Sequence, residues 1–309
     1  MAKTALFVRK QSGGMFEVVN ETLTTGSIFF VDSATGTNSA GGGRNPDAPL
    51  ATLDYAIGLC TASKGDMIYV MPGHAETITA ADGFDADVAG IRIVGMGWGD
   101  LRPTFTFTQT ASDVAIGANN VWIENLRFVA GVSAVVRGVN VEGKTGVVFK
   151  NCEWYWGGTT GYDFVDSLIL AAGSSRCVID NCRFLAEPGV AGAATAVKLS
   201  GASHNVRITN SEFMGDYSTA CVNGITTLSQ GLMFLSNTVH NTDASEPYLE
   251  VLTGTTGVIA DTRGLASGAT VAANAVADAM AHCENFVVNT AGTIAIIKGA
   301  GGSPGLDVD

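Results

Sequence analysis

Charge is scarce in this 309-residue chain: 15% of residues are charged, and 17 lysines and arginines face 29 acids. Phosphate backbones are gripped by clustered basic side chains, so nucleic acid is not an expected partner. Anionic membrane surfaces are disfavoured for the same reason. No apolar run reaches the ~18 residues that a membrane helix needs. Residues 1–20 carry Lys3, Arg9 and Lys10 but lack the unbroken apolar stretch and cleavage site of a secretory signal. The expectation is therefore a protein made and kept in a cytoplasm. The six cysteines contain no Cys-x-x-Cys pair, which predicts reduced core side chains rather than disulfides. His74, His204, His240 and His282 are scattered, none at a metal-ligand spacing from another. With only 7 prolines and 46% hydrophobic residues, the composition also excludes a disordered chain.

What the sequence does have is glycine, 39 residues of it, and a repeat. Six segments share alternating apolar residues, a turn residue and then a bulky apolar residue. Their turn positions are Gly95, Asn125, Asn151, Asn181, Asn210 and Ser236. Upstream of several lies a second alternating stretch, at residues 114–116, 139–141, 168–170, 197–199 and 249–251. Alternation over so few residues means short strands. Their recurrence every ~26–30 residues describes coils of a solenoid, whereas a β-sandwich turns about every 8–12 residues. Stacked coils place like residues above like. This predicts a ladder of Asn125, Asn151, Asn181 and Asn210, each bonding amides of the next turn. It also predicts an interior aromatic stack of Trp98, Phe128, Trp154, Phe184 and Phe213, with Cys152 and Cys182 buried beside it.

Before the first coil, Thr52 or Asp54 can cap a helix near residues 50–62, with Leu53, Ala56, Ile57 and Cys60 on one face. A helix there would cap the open end of the stack. The succession Val31-Asp32, Pro46, Ala48 and Pro49, Thr52-Leu53 with Ala56-Ile57, and Gly65-Asp66 with Ile68, Val70 and Pro72-Gly73 resembles the opening of pectin-lyase-like β-helices. The resemblance spans residues 28–264. It implies an all-β, right-handed parallel β-helix, a single-stranded solenoid with an N-terminal capping helix and a small C-terminal α/β segment. Within that family the chain looks most like phage-encoded β-helix proteins that carry no catalytic signature.

Hydrolases of this fold carry an Asn-Thr-Asp, a double Asp, a Gly-His-Gly and an Arg-Ile-Lys in order. Here Asn241-Thr242-Asp243 occurs once, with none of the others after it. No catalytic set is therefore assigned. The best acidic candidates are Asp163, Asp166 and Asp180, since paired carboxylates serve sugar hydrolysis. Beside them, Trp154, Tyr155, Trp156 and Tyr162 form an aromatic excursion suited to a glycan or to a protein contact. Asp82, Asp85 and Asp87 have oxygen ligands at alternating spacing but no downstream bidentate Glu, so no metal and no cofactor is expected.

The ends differ from the middle. Residues 1–27 alternate weakly and read as an arm. Residues 265–309 read as an assembly segment, with an alanine-rich helix over 272–282, strands at 286–288 and 293–297, and a glycine-rich tail. The resemblance implies a non-enzymatic virion protein, a capsid decoration or head spike, built as a homotrimer and held by another virion protein. The alternatives left open are a polysaccharide-degrading tailspike and an adhesin for a host surface glycan.

Overall fold

The computed structural model describes residues 7–9, 16–18, 24–190, 192–243, 245–266, 275–276, 280–283, 285–288 and 294–296. Its core is built from three sheets, and successive strands of the chain enter them in rotation. The first sheet runs over ten strands from Ile28–Val31 through Met67–Val70, Arg92–Gly95 and Trp122–Glu124 to Met280–Cys283. The second begins at Ala75–Ile78 and Thr104–Phe107 and includes Arg127–Ala130, Glu153–Tyr155, Arg183–Leu185 and Glu212–Gly215. The third, of seven strands, begins at Val114–Ile116 and takes in Val135–Val141, Phe164–Leu170, Ala193–Leu199, Tyr217–Gly224 and Leu249–Val251. Neighbouring strands within these sheets pair in parallel from one coil to the next, with one exception at the end of the second sheet. This is the parallel β-helix that the repeat predicts.

Each coil closes because single residues turn the chain in the left-handed backbone region. Between the first and second sheets these are Asn125, Asn151, Asn181, Asn210, Ser236 and Asp261, with φ between 48° and 58°. Asparagine tolerates that conformation better than other non-glycine residues, which is why the repeat selects it. The ladder is shorter than expected and differently bonded. Asn151 Nδ2 donates to Asn125 Oδ1 at 3.0 Å and Asn181 Nδ2 to Asn151 Oδ1 at 3.4 Å. Between asparagines the bonds thus join side chains, while Asn125 Nδ2 reaches the backbone carbonyls of Gly95 and Gly97 on the neighbouring turn at 2.8 and 2.9 Å. Asn210 leaves the row and donates instead to Asp180 Oδ1 at 2.9 Å.

Inside, rings stack along the axis. Phe105, Phe128, Trp154, Phe184 and Phe213 stand in register, with neighbouring centroids 4.5–6.1 Å apart. Trp98 is not part of this stack: it is 84% exposed, and Phe105 holds its place. The cause is local. After Gly95 the chain makes an extra excursion through the 3-10 turn Gly99–Leu101, so the second-sheet strand starts only at Thr104. Cys152 and Cys182 are buried as expected, together with Cys177 and Cys221, whereas Cys283 is exposed.

The capping helix is real and short, Leu53–Gly58, with Thr52 Oγ1 accepting the Tyr55 N–H at 3.4 Å. It buries Leu53, Ala56 and Ile57 in the same core as the coils. Near the N-terminus, Phe7–Arg9 and Phe16–Val18 pair antiparallel with each other. The expected helix over 272–282 is corrected by the structure. Ala275–Val276 joins the third sheet and Met280–Cys283 the first, each in register with the coil before it. A waiting strand edge outweighs the helix preference of alanine. Ile294–Ile296 then pairs antiparallel with Phe286–Val288, which ends the parallel stacking of the second sheet. The glycine-rich tail lies outside the described residues.

Candidate functional site

A solenoid sorts side chains by face, so the sheet that carries a residue decides what it can meet. Asp166 lies on the third sheet, where Lys198 Nζ meets its Oδ2 at 2.7 Å and Thr195 Oγ1 donates to Oδ1 at 2.6 Å. Asp180 lies on the first sheet, and its Oδ1 accepts from Thr209 Oγ1 at 2.7 Å as well as from Asn210. Asp163 sits at the bend that leads into Phe164–Leu170. Asp180 thus lies on a different sheet from Asp166, and Asp163 stands at the entrance of the Asp166 strand.

Asp163 is nonetheless unusual. It is buried, and its Oδ1 accepts the Glu187 N–H at 3.1 Å. Its Oδ2 has no partner among the described residues. Burial, with the Glu187 and Asp216 charges adding to it, pushes the Asp163 carboxyl up to about 7 against the one backbone bond that lowers it. Glu187 returns the connection, because its Oε2 accepts the Gly161 N–H at 2.6 Å. These two carboxyls stitch the 156–162 excursion to the bend above it.

The aromatic excursion divides in two. Trp154 is fully buried in the ring stack and cannot face a ligand. Its repeat position, the one held by Phe128 and Phe184, already pointed inward. Tyr155 and Trp156 are half-buried with ring centroids 5.8 Å apart, and Tyr162 is half-buried further along the loop. Asp85 is tied to the Gly117 N–H at 3.1 Å, and the Asp82 N–H donates to Asp113 Oδ1 at 2.7 Å. Among the described residues no group of three or more His, Cys, Asp or Glu side chains is placed to hold a metal ion. His74 is buried, accepting the Ser33 N–H on Nδ1 at 3.0 Å and donating from Nε2 to Glu76 at 3.1 Å. Both ring nitrogens are thus engaged in holding the first coil. His204 Nδ1 accepts the Gln230 N–H at 3.1 Å. His240 is half-buried, and burial lowers its pKa.

One constellation went unread in the sequence. On the second sheet Arg127, Glu153, Arg183 and Glu212 stand in register and form an alternating ion-pair row, with contacts of 2.6, 3.1 and 2.8 Å. Arg102 approaches the same Glu153 at 3.6 Å. The signal was present, since each of the four residues directly precedes an aromatic of the stack and their signs alternate. Such a row satisfies its own charges and leaves little for a substrate.

No protein-family model matches the chain, and no curated protein sequence matches it. Among solved structures, it is similar to a rhamnogalacturonan lyase, with 13% identity over 79% of this chain and 75% of that one, at a TM-score of 0.47. It is similar to PfbA, a surface adhesin of Streptococcus pneumoniae, with 11% identity over 75% of this chain and 68% of that one, also at 0.47. A third is Geobacillus virus E2 ORF18, with 13% identity over 76% of this chain and 57% of that one, at 0.29. At these identities the likeness is one of fold alone.

Proposed function

We propose that the chain is a non-enzymatic structural protein of a phage particle, a rigid β-helical body that decorates a capsid or forms a head spike as a homotrimer. The observation that carries this reading is how the candidate acids are used. Asp166 is held by Lys198 and Thr195, Asp180 by Thr209 and Asn210, and Asp163 is buried beneath its neighbouring bend. Glycoside hydrolysis needs two carboxyls facing one bond across about 5–9 Å of open groove. Asp166 and Asp180, committed to contacts within the wall, serve rigidity instead.

The test is compositional. Mass spectrometry of purified particles from the phage that encodes the chain should find it at a stoichiometry matching a symmetric site, and light scattering on the purified protein should give an oligomer. Absence from the particles would overturn the reading. Depolymerisation of a bacterial surface polysaccharide by the full chain, abolished by Asp163→Asn, would replace it with the tailspike alternative. A glycan-binding adhesin has one observation in its favour, the paired Tyr155 and Trp156 rings on the wall, because sugar faces stack on such rings. Glycan-array binding lost on Trp156→Ala would support that second reading.

A further inference from the structure

We infer that copies of this chain meet through a charge-free belt on the C-terminal coils, centred on Ile225, Leu228, Met233, Leu252 and Val258. The inference deepens the assembly reading and rests on it. All five side chains are between 37% and 44% exposed. Between residues 125 and 213, by contrast, Val136 is the large apolar side chain in the exposed class among the described residues. The five are neighbours by construction of the solenoid. Met233 and Val258 are in register on adjacent strands of the first sheet. Ile225, Leu228 and Leu252 occupy the bends that lead into those two strands, and Leu228 Cδ2 lies 3.1 Å from where a Cβ on Gly254 would stand. Single exposed apolar residues are ordinary on any surface, whereas a contiguous patch marks a contact.

Charge identifies the occupant. The chain carries a net charge of −12, yet residues 217–242 contain no Asp, Glu, Lys or Arg, and neither do residues 251–260. A different partner could be met through complementary charge, for which 29 acids are at hand. A second copy can be met that way only off the axis, where unlike residues face each other. Near a symmetry axis each residue faces its own copy, so any charge there faces a like charge. A whole coil without charge, lined by exposed Leu, Ile, Met and Val, suits a contact close to the symmetry axis of acidic chains.

The experiment uses the full chain and reads mass by light scattering. Met233→Glu and Met233→Lys, made separately, should each lower the mass about threefold from a trimer, to the 31.8 kDa of one chain, with an unchanged far-ultraviolet circular-dichroism spectrum. Mixing the two variants should return higher-mass species, because opposite charges then face each other across the axis. Leu228→Ser, placed in a bend, provides the same reading should a charge at position 233 unfold the strand. Val136→Glu, on the middle coils, should leave the mass unaltered. An oligomeric wild type whose Met233 and Leu228 variants keep full mass overturns this inference and leaves the assembly reading standing. Variant monomers that stay apart on mixing overturn the self-contact. A wild type that is monomeric at every concentration overturns both.

Discussion

The corner between the first and second sheets is made twice, in two different ways, along the same solenoid. In the earlier coils the outward residues are asparagines that bond each other, and the inward residues that follow them are Leu126, Cys152 and Cys182. In the later coils the outward positions pass to Ser236 and Asp261, and the polar groups move inside. Asn237 Oδ1 accepts the Ser211 N–H at 2.9 Å while its Nδ2 donates to Ile208 O at 3.0 Å. Asn285 repeats the arrangement with the Thr262 N–H and Ile259 O, at 3.1 and 2.9 Å. The outer row serves the backbone conformation. The inner pairs satisfy amides and carbonyls buried in the core, so the same residue type carries very different energies on the two sides of one wall.

The sharpest way to break the comparison is Asn237→Leu, which keeps the branching of the side chain and orphans a buried N–H and a buried carbonyl. A loss of about 4 kcal/mol is expected in denaturant unfolding; a loss within 1 kcal/mol of zero would remove the distinction. Asp163 offers the opposite case, a buried polar atom without a partner. Its carboxyl is raised from 3.8 to about 7, so between those values the folded chain holds a proton that the unfolded chain has released. Stability should therefore fall as pH rises from about 4 to about 7 and stay low above it. Thermal melts should show that slope, and Asp163→Asn should flatten it. On the outer row, Asn151→Ala should cost about 1 kcal/mol through its left-handed backbone, while Asn151→Gly should be close to neutral. An equal loss for both would assign the energy to the side-chain ladder instead. Smallest of all, Cys182→Ser imports the later coils' chemistry, as at Ser211, and should change stability by under about 1 kcal/mol.

Much of the fold was legible because a solenoid repeats its reasons. The first-sheet strands, the left-handed corners and the ring stack from Phe128 onward all follow from one spacing. Trp98 was misplaced because an excursion of a few residues breaks the count without altering the local pattern. The strand Tyr217–Gly224 was not read as one, since its Ser, Thr, Ala and Cys residues show no β-branched alternation and it is shaped by the coils on either side. The alanine-rich stretch near residue 275 was misread for the related reason that its neighbours, not its own propensity, decide its state. The site was less legible than the fold. Asp166 and Asp180 lie close in sequence, but the phase of the coil sends them to different sheets, and that phase depends on bend lengths that no motif encodes.

The parallel pairing of successive coils has a mechanical consequence. The hydrogen bonds between coils run along the long axis, and the chain enters at one end of the stack and leaves at the other. Tension applied between the two ends therefore pulls on one rung at a time and peels the body coil by coil, each step paying out roughly 90 Å of chain. A push from the side meets the interlocked interior of several coils together. Such a body is stiff against bending and yields stepwise to stretching, so a surface that grips it along its flank holds it more firmly than one that grips it by its tips.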